Sequence, residues 1–284
     1  MAVLKTTQVQ LNTYQDISLM ATSYAPDTTP TATILYLHGG GLEFGQRDDL
    51  PTAYLEKFTT AGIQLFTFDY LLAPEVKIDT ILPVLRESIQ VMLDKTPHAT
   101  RVILMGRSAG SYLAYLLLRD GFTANGFVDL YGYSGLDYPE FRMPAEFYDS
   151  FPKVLPINAQ ALTQRQPLVA GEMKDRYPLY VSGRQFGTWL SQFLPSMRDV
   201  VAYSLTPDEL GRLPRTLMIH STNDPDVPFA TSEYAVKYLP EATLLPIDHH
   251  EHDFDREATA ESLAIYDQIV AFITAIPVGV RASA

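Results

Sequence analysis

The chain has 284 residues, 46% of them hydrophobic and 19% charged, a formal net charge of −12 and no cysteine. That composition is ordinary for a globular protein long enough to bury a substantial core, and it excludes disulfides, thiol catalysis and cysteine metal sites. An acid excess without clustered Lys and Arg argues against nucleic acid as a partner. No run approaches the roughly 18 apolar residues of a membrane helix and the first residues lack the apolar stretch of a secretory signal, so no membrane association and a cytoplasmic location are expected.

In chain order, residues 8–11 and 17–21 alternate with the period of two of an antiparallel hairpin, with residues 12–16 as its turn. A buried strand over residues 34–37 runs straight into His38-Gly39-Gly40-Gly41. Residues 50–60 read as a helix opened by Asp48 or Asp49 and closed at Gly62. A strand over residues 63–68 follows, then a helix over residues 79–95 with Leu82, Leu85, Ile89 and Met92 or Leu93 on one face. Residues 101–105 form a strand, residues 111–119 a helix and residues 126–130 a short strand. After a long interval, strands are expected over residues 216–220 and 243–247, and a closing helix over residues 258–276.

Strand and helix in alternation imply a mostly parallel central sheet flanked by helices, with reactive groups gathered beyond the carboxyl ends of the strands. Residues 131–213 break this rhythm with many aromatics and prolines and are too long for an ordinary connection. They are expected to form an inserted, mainly helical cap over the site. Residues 1–130 and 214–284 then form the core, and most of the cap's aromatics its own small core.

Gly106-Arg107-Ser108-Ala109-Gly110 sits between the strand over residues 101–105 and a helix, which makes Ser108 a candidate nucleophile. A strand that turns at once into a helix forces the central residue into a strained conformation, and flanking glycines leave room for the crossing chain. The helix aims its free N–H groups at the same place and favours developing negative charge. His38-Gly39-Gly40-Gly41 lets backbone N–H groups face a ligand, so Gly40 and Gly41 are expected to form an oxyanion hole with the N–H of Ala109. The spacing does not match a dinucleotide loop.

A serine hydroxyl is a poor nucleophile until a base takes its proton, and that base needs an acceptor to hold its tautomer. The loop after residues 216–220 carries two aspartates, of which Asp224 is the preferred acid and Asp226 its rival; both also suit a turn or a helix cap. His249, His250 and His252 stand together after the last strand. Their spacing matches no zinc pattern with ligands one helical turn apart, so no metal is expected. His252 is the preferred base, with Phe254 packing beneath its loop, and His250 is the competitor. His38 is read as a structural residue whose imidazole bonds to neighbouring backbone and shapes the glycine loop.

With these pieces placed, the chain resembles the α/β-hydrolases, and within them the hormone-sensitive-lipase-like carboxylesterases. The matching segments are His38-Gly39-Gly40-Gly41, Asp69-Tyr70-Leu71-Leu72-Ala73-Pro74-Glu75, Gly106-Arg107-Ser108-Ala109-Gly110, the Asp224 loop and His252-Asp253-Phe254. Their order of nucleophile, acid and histidine is that of the fold. Members of that family usually carry Asp before the serine and another Gly after Ala-Gly, where this chain has Arg107 and Ser111; only about two short strands are expected before residue 34, without the N-terminal extension that caps many relatives. The expected reaction is acyl transfer from a small, short-acyl ester to water through Ser108, His252 and Asp224, needing no metal or cofactor. The same residues suit an amide or peptide hydrolase of acylaminopeptidase or formamidase type, and a non-catalytic ligand-binding homologue is the third reading. The chain is compatible with a homo-oligomer.

Overall fold

The computed structural model describes residues 4–96 and 101–277. Eight strands form one sheet in the order β1-β2-β4-β3-β5-β6-β7-β8. They are β1 (Lys5–Tyr14), β2 (Ile17–Ala25), β3 (Ala32–Leu37), β4 (Ile63–Phe68), β5 (Val102–Arg107), β6 (Gly126–Leu130), β7 (Thr216–Ser221) and β8 (Ala242–Ile247). β1 and β2 form an antiparallel hairpin at one edge, β2 pairs antiparallel with β4, and the remaining pairs are parallel. The hairpin turn is tighter than expected: Gln15 and Asp16, with φ of 44° and 70°, make the whole of it, and the strands run past the apolar alternation. Two consecutive positive φ values match the twist of a two-residue hairpin. The extra strand length was hidden because β1 is largely exposed at the sheet edge, where polar residues pair as readily as apolar ones.

Successive side chains of a strand point to opposite faces, and the core divides accordingly. Leu35 and Leu37 of β3 face one layer and Ile34 and Tyr36 the other. The first layer is covered by α2 (Ile78–Lys95) and α3 (Ala109–Arg119), the second by α1 (Thr52–Thr60) and α10 (Ala260–Ala275). In α2 the predicted face is buried through Leu82, Leu85, Ile89 and Met92. α3 is buried along almost its whole length, which explains why its sequence is apolar all round.

One expectation is corrected at α1. Asp48 and Asp49 do not open this helix, which starts after Pro51 without a side-chain cap. Their carboxylates turn inward, where buried hydroxyls need acceptors. Asp48 accepts from Thr22, Tyr24 and Thr67 at 3.0, 3.0 and 2.9 Å, and Asp49 from Tyr36 at 2.7 Å.

Between β6 and β7 the chain forms short helices: α4 (Pro139–Arg142), α5 (Pro156–Gln160), α6 (Met173–Gln185), α7 (Trp189–Phe193) and α8 (Pro207–Leu210). Tyr133, Phe141, Tyr148, Trp189 and Phe193 are buried there in one aromatic cluster, joined to the core through Tyr112 of α3. α9 (Ala230–Ala235) follows the β7 loop. No helix among the described residues is long and apolar enough to cross a membrane.

Candidate active site

Ser108 stands between the end of β5 and the first turn of α3 with φ 51° and ψ −117°, a left-handed conformation that a non-glycine residue adopts only when its surroundings impose it. Those surroundings are crowded backbone. A Cβ on Gly106 would lie 2.2 Å from the Ser111 N, and one on Gly110 2.1 Å from the Leu37 O, so only glycine allows the strand, the turn and the helix to cross here. Ser111 uses its hydroxyl inside this bend, donating to Gly106 O at 2.7 Å.

The two loops beyond β7 and β8 meet this serine. His252 Nε2 lies 2.8 Å from Ser108 Oγ, and His252 Nδ1 lies 2.6 Å from Asp224 Oδ2. A carboxylate only accepts, so Nδ1 carries the proton and Nε2 is free to accept from the serine. Asp224 is saturated with donors. Oδ1 accepts from the N–H groups of Asp226 and Val227 at 2.8 and 2.9 Å, and Oδ2 is shared by His252 and by His220 Nε2 at 3.1 Å. Burial alone would raise the Asp224 carboxyl, but the His252 charge and the bonds from His220 and His252 outweigh it and hold it far below the usual range. Burial likewise acts to lower the His252 imidazole, yet the facing Asp224 carboxylate wins and pushes it up to about 9.

Of the competing residues, Asp226 does not bond His252 Nδ1; its carboxylate pairs with Arg184 and accepts from the Tyr180 hydroxyl. His250 is exposed, and His249 lies 3.7 Å from Glu261. The Phe254 ring packs edge-on against Tyr131 at 5.4 Å, as expected for an anchor beneath the histidine loop.

The glycine loop runs beside the serine: a Cβ on Gly39 would stand 3.5 Å from Ser108 Cβ. Gly40 and Gly41 adopt φ of 105° and 59° and line the same cavity as Ser108 and His252. Among the described residues, the N–H groups of Gly40, Gly41 and Ala109 have no hydrogen-bond acceptor. Their carbonyls are tied down instead, Gly40 O by the N–H groups of Glu43 and Phe44 and Gly41 O by the Trp189 indole at 3.0 Å. His38 stiffens the loop as expected: Nδ1 donates to Gly39 O at 2.7 Å and the ring stacks on Tyr70 at 4.1 Å. Burial pushes its pKa down to about 4, so it stays neutral at pH 7. The segment that includes Asp69 and Glu75 is held at both ends, Asp69 by Arg47 at 2.7 Å and Glu75 by Arg176 of α6 at 2.8 Å.

Two groups of residues escaped the reading of the sequence. His220, fully buried, donates from Nε2 to Asp224 and to Val227 O, while its Nδ1 accepts from Ser232 at 2.7 Å. It looks in sequence like one more strand residue. Arg107, expected only as a departure from relatives, is buried and reaches Asp255 at 2.6 Å, Tyr131 OH at 2.5 Å and Asp49 at 3.3 Å. Asp255 follows His252 by three positions, so this ion pair joins the serine turn to the histidine loop. A charged residue between an apolar strand and an apolar helix was the one available signal that it needed a buried partner.

The cavity around these groups measures about 1590 Å³ and is walled on one side by Phe44, Tyr148, Tyr177 and Tyr180. Residues 34–237 match the alpha/beta hydrolase fold family, and the chain belongs to it. A protein of unknown function from Staphylococcus aureus is similar in structure, with a TM-score of 0.88, 30% identity, and 95% of this chain and 99% of that one covered. An esterase from Pyrobaculum calidifontis shares the fold at a TM-score of 0.69 and 19% identity, over 97% of this chain and 86% of that one. A kynurenine formamidase from Salmo salar is 27% identical over 100 residues, 34% of this chain, so the chain spans about a third (33%) of that curated relative's length.

Proposed function

We propose that the protein is a serine hydrolase that cleaves small carboxylic esters through an acyl-enzyme. The observation that carries this reading is the continuous contact from Ser108 Oγ through His252 to Asp224, at 2.8 and 2.6 Å, on a strained serine beside a loop whose Gly40 and Gly41 N–H groups have no acceptor among the described residues. Ser108 attacks the carbonyl carbon while its proton passes to His252 Nε2. The oxyanion is held by the N–H groups of Gly40, Gly41 and Ala109, each such donor being worth roughly 3–4 kcal/mol. His252 returns the proton to the leaving oxygen, and water then releases the acid by the same steps in reverse. Residues 131–213 act as a cap whose aromatic side chains wall the cavity. The acyl group is taken to be short: the Tyr180 ring packs so closely on the glycine loop that a Cβ on Gly41 would stand 2.3 Å from it. The fold shared with a solved esterase supports the ester reading, while the partial likeness to a formamidase favours nitrogen as a second kind of leaving atom.

The test is Ser108→Ala. Turnover of p-nitrophenyl acetate is expected to fall by at least about 1,000-fold, and labelling by a fluorophosphonate to vanish. A variant with turnover near that of the parent overturns the assignment.

A further inference from the structure

Asp226 stands two residues beyond Asp224, but its carboxylate faces the other nitrogen of the histidine. Oδ2 of Asp226 lies 3.8 Å from His252 Nε2, the nitrogen in contact with Ser108. Its Oδ1 is occupied by Arg184, and the Tyr180 hydroxyl lies 2.9 and 3.0 Å from the two oxygens. A carboxylate oxygen accepts about two hydrogen bonds. Among the described residues Oδ2 has the Tyr180 hydroxyl as its single donor, which leaves one acceptor position unfilled on the side of the cavity that Asp226 lines.

The carboxylate is held there firmly. Arg184, nearly fully buried, also bonds the Asp226 backbone carbonyl at 2.9 Å and is enclosed by Phe141, Tyr148, Tyr180 and Trp189 at 5.2 to 5.6 Å from their ring centroids. A rigid anion with spare accepting capacity beside the general base is an unfavourable neighbour for an ester oxygen, which has lone pairs and no hydrogen to offer. It is a favourable neighbour for nitrogen. The leaving atom must come within hydrogen-bond reach of His252 Nε2 to receive its proton, and with Oδ2 3.8 Å from that nitrogen the reaches of the two groups overlap.

We propose that Asp226 Oδ2 accepts the N–H of a scissile secondary amide, so that this site hydrolyses N-acyl arylamines as well as esters; the inference rests on the Ser108–His252 reading above. Ser108 Oγ bonds to the carbonyl carbon and its proton moves to His252 Nε2. The C–N bond then breaks, the nitrogen takes that proton and leaves as the neutral amine, with its original N–H held by Asp226 throughout. Water attacks the acyl-Ser108 ester, gives one proton to His252, and the acid departs as Ser108 Oγ recovers it. The aromatic wall formed by Phe44, Tyr148, Tyr177 and Tyr180 suits the ring of an arylamine. Asp226 thus acts as a specificity-determining residue.

The experiment compares p-nitroacetanilide, its N-methyl analogue and p-nitrophenyl acetate, each rate divided by that of its hydroxide-catalysed hydrolysis. The wild-type enzyme is expected to turn over the anilide and to prefer it to the N-methyl analogue by at least about tenfold, the scale of one hydrogen bond to a charged acceptor. In Asp226→Asn, which places an N–H donor at one of the two oxygens, that preference is expected to fall to about twofold or less. Hydrolysis of the acetate without the anilide, equal rates for the two anilides in the wild type, or a preference that survives in Asp226→Asn overturns the inference while the ester reading stands. The wild-type comparison decides the matter even where the variant fails to fold. Failure to hydrolyse the acetate at all overturns both.

Discussion

The Asp224 carboxylate decides the state of its histidine. With Nδ1 of His252 donating to Asp224 at 2.6 Å, the imidazolium is stabilised more than burial destabilises it, and the pKa moves from 6.5 up to about 9. Only the neutral ring accepts the Ser108 proton, so kcat/KM on an ester should rise with pH and level off above about 9 rather than near 6.5. A pH–rate profile of the free enzyme measures this, and a plateau reached by pH 7 would contradict it. In the sequence Asp224 stood ahead of Asp226 by its place after β7, and His252 ahead of His249 and His250 by the Phe254 two positions on. What separated them is direction. Asp224 turns back to collect the N–H groups of its own loop, whereas Asp226 turns out to Arg184 of α6, a residue 42 positions away.

At the level of elements, β5 and α3 form the serine turn by local rules, and the loop after β7 brings Asp224 to His252 by a longer chain of contacts. The turn was legible because strand, glycines and helix lie in one stretch of sequence, and the strain at Ser108 follows from their crossing. His220 was not legible, since its role comes from the loop that folds back over the end of β7. By donating to Asp224 it fixes the carboxylate that orients His252, and a hydrogen bond to a charged group is worth about 1.5–3 kcal/mol. His220→Leu is therefore expected to lower kcat by roughly 10–100-fold with little change in KM, and His220→Gln, which keeps a donor near Nε2, to recover most of it. Steady-state kinetics of the two variants checks this; equal losses in both would mean that the bond is immaterial and that His220 only fills space.

Across the whole molecule, buried ion pairs tie distant segments to the site, and beside Arg184–Asp226 two more do so. Arg176 of α6 joins Glu75, the Glu43 carbonyl and the Ala73 carbonyl, which fastens the insertion to the glycine loop. Arg107 joins the serine turn to Asp255, whose carboxylate also takes the hydroxyls of Tyr131 and Tyr266 at 2.6 and 2.7 Å. Removing one partner of such a pair leaves a charge buried without compensation, at a cost of about 3–5 kcal/mol. Asp255→Ala should lower the unfolding free energy by that amount in urea titration. A loss under about 1 kcal/mol would show that Asp49 or water takes over the guanidinium.

The amino-acid sequence by itself determined the alternation of strands and helices, the two-faced burial of the sheet, the serine turn and the glycine loop. Each of these depends on the periodicity and backbone freedom of neighbouring residues, which are present in any short window of the chain. Tertiary structure alone decided which aspartate and which histidine meet Ser108, that Asp48 and Asp49 serve buried hydroxyls instead of a helix end, and that Arg107 answers Asp255 across 148 positions. Those choices turn on the direction of a side chain and on which charge lies within about 4 Å of it, and neither is set until the loops beyond the sheet have closed over one another.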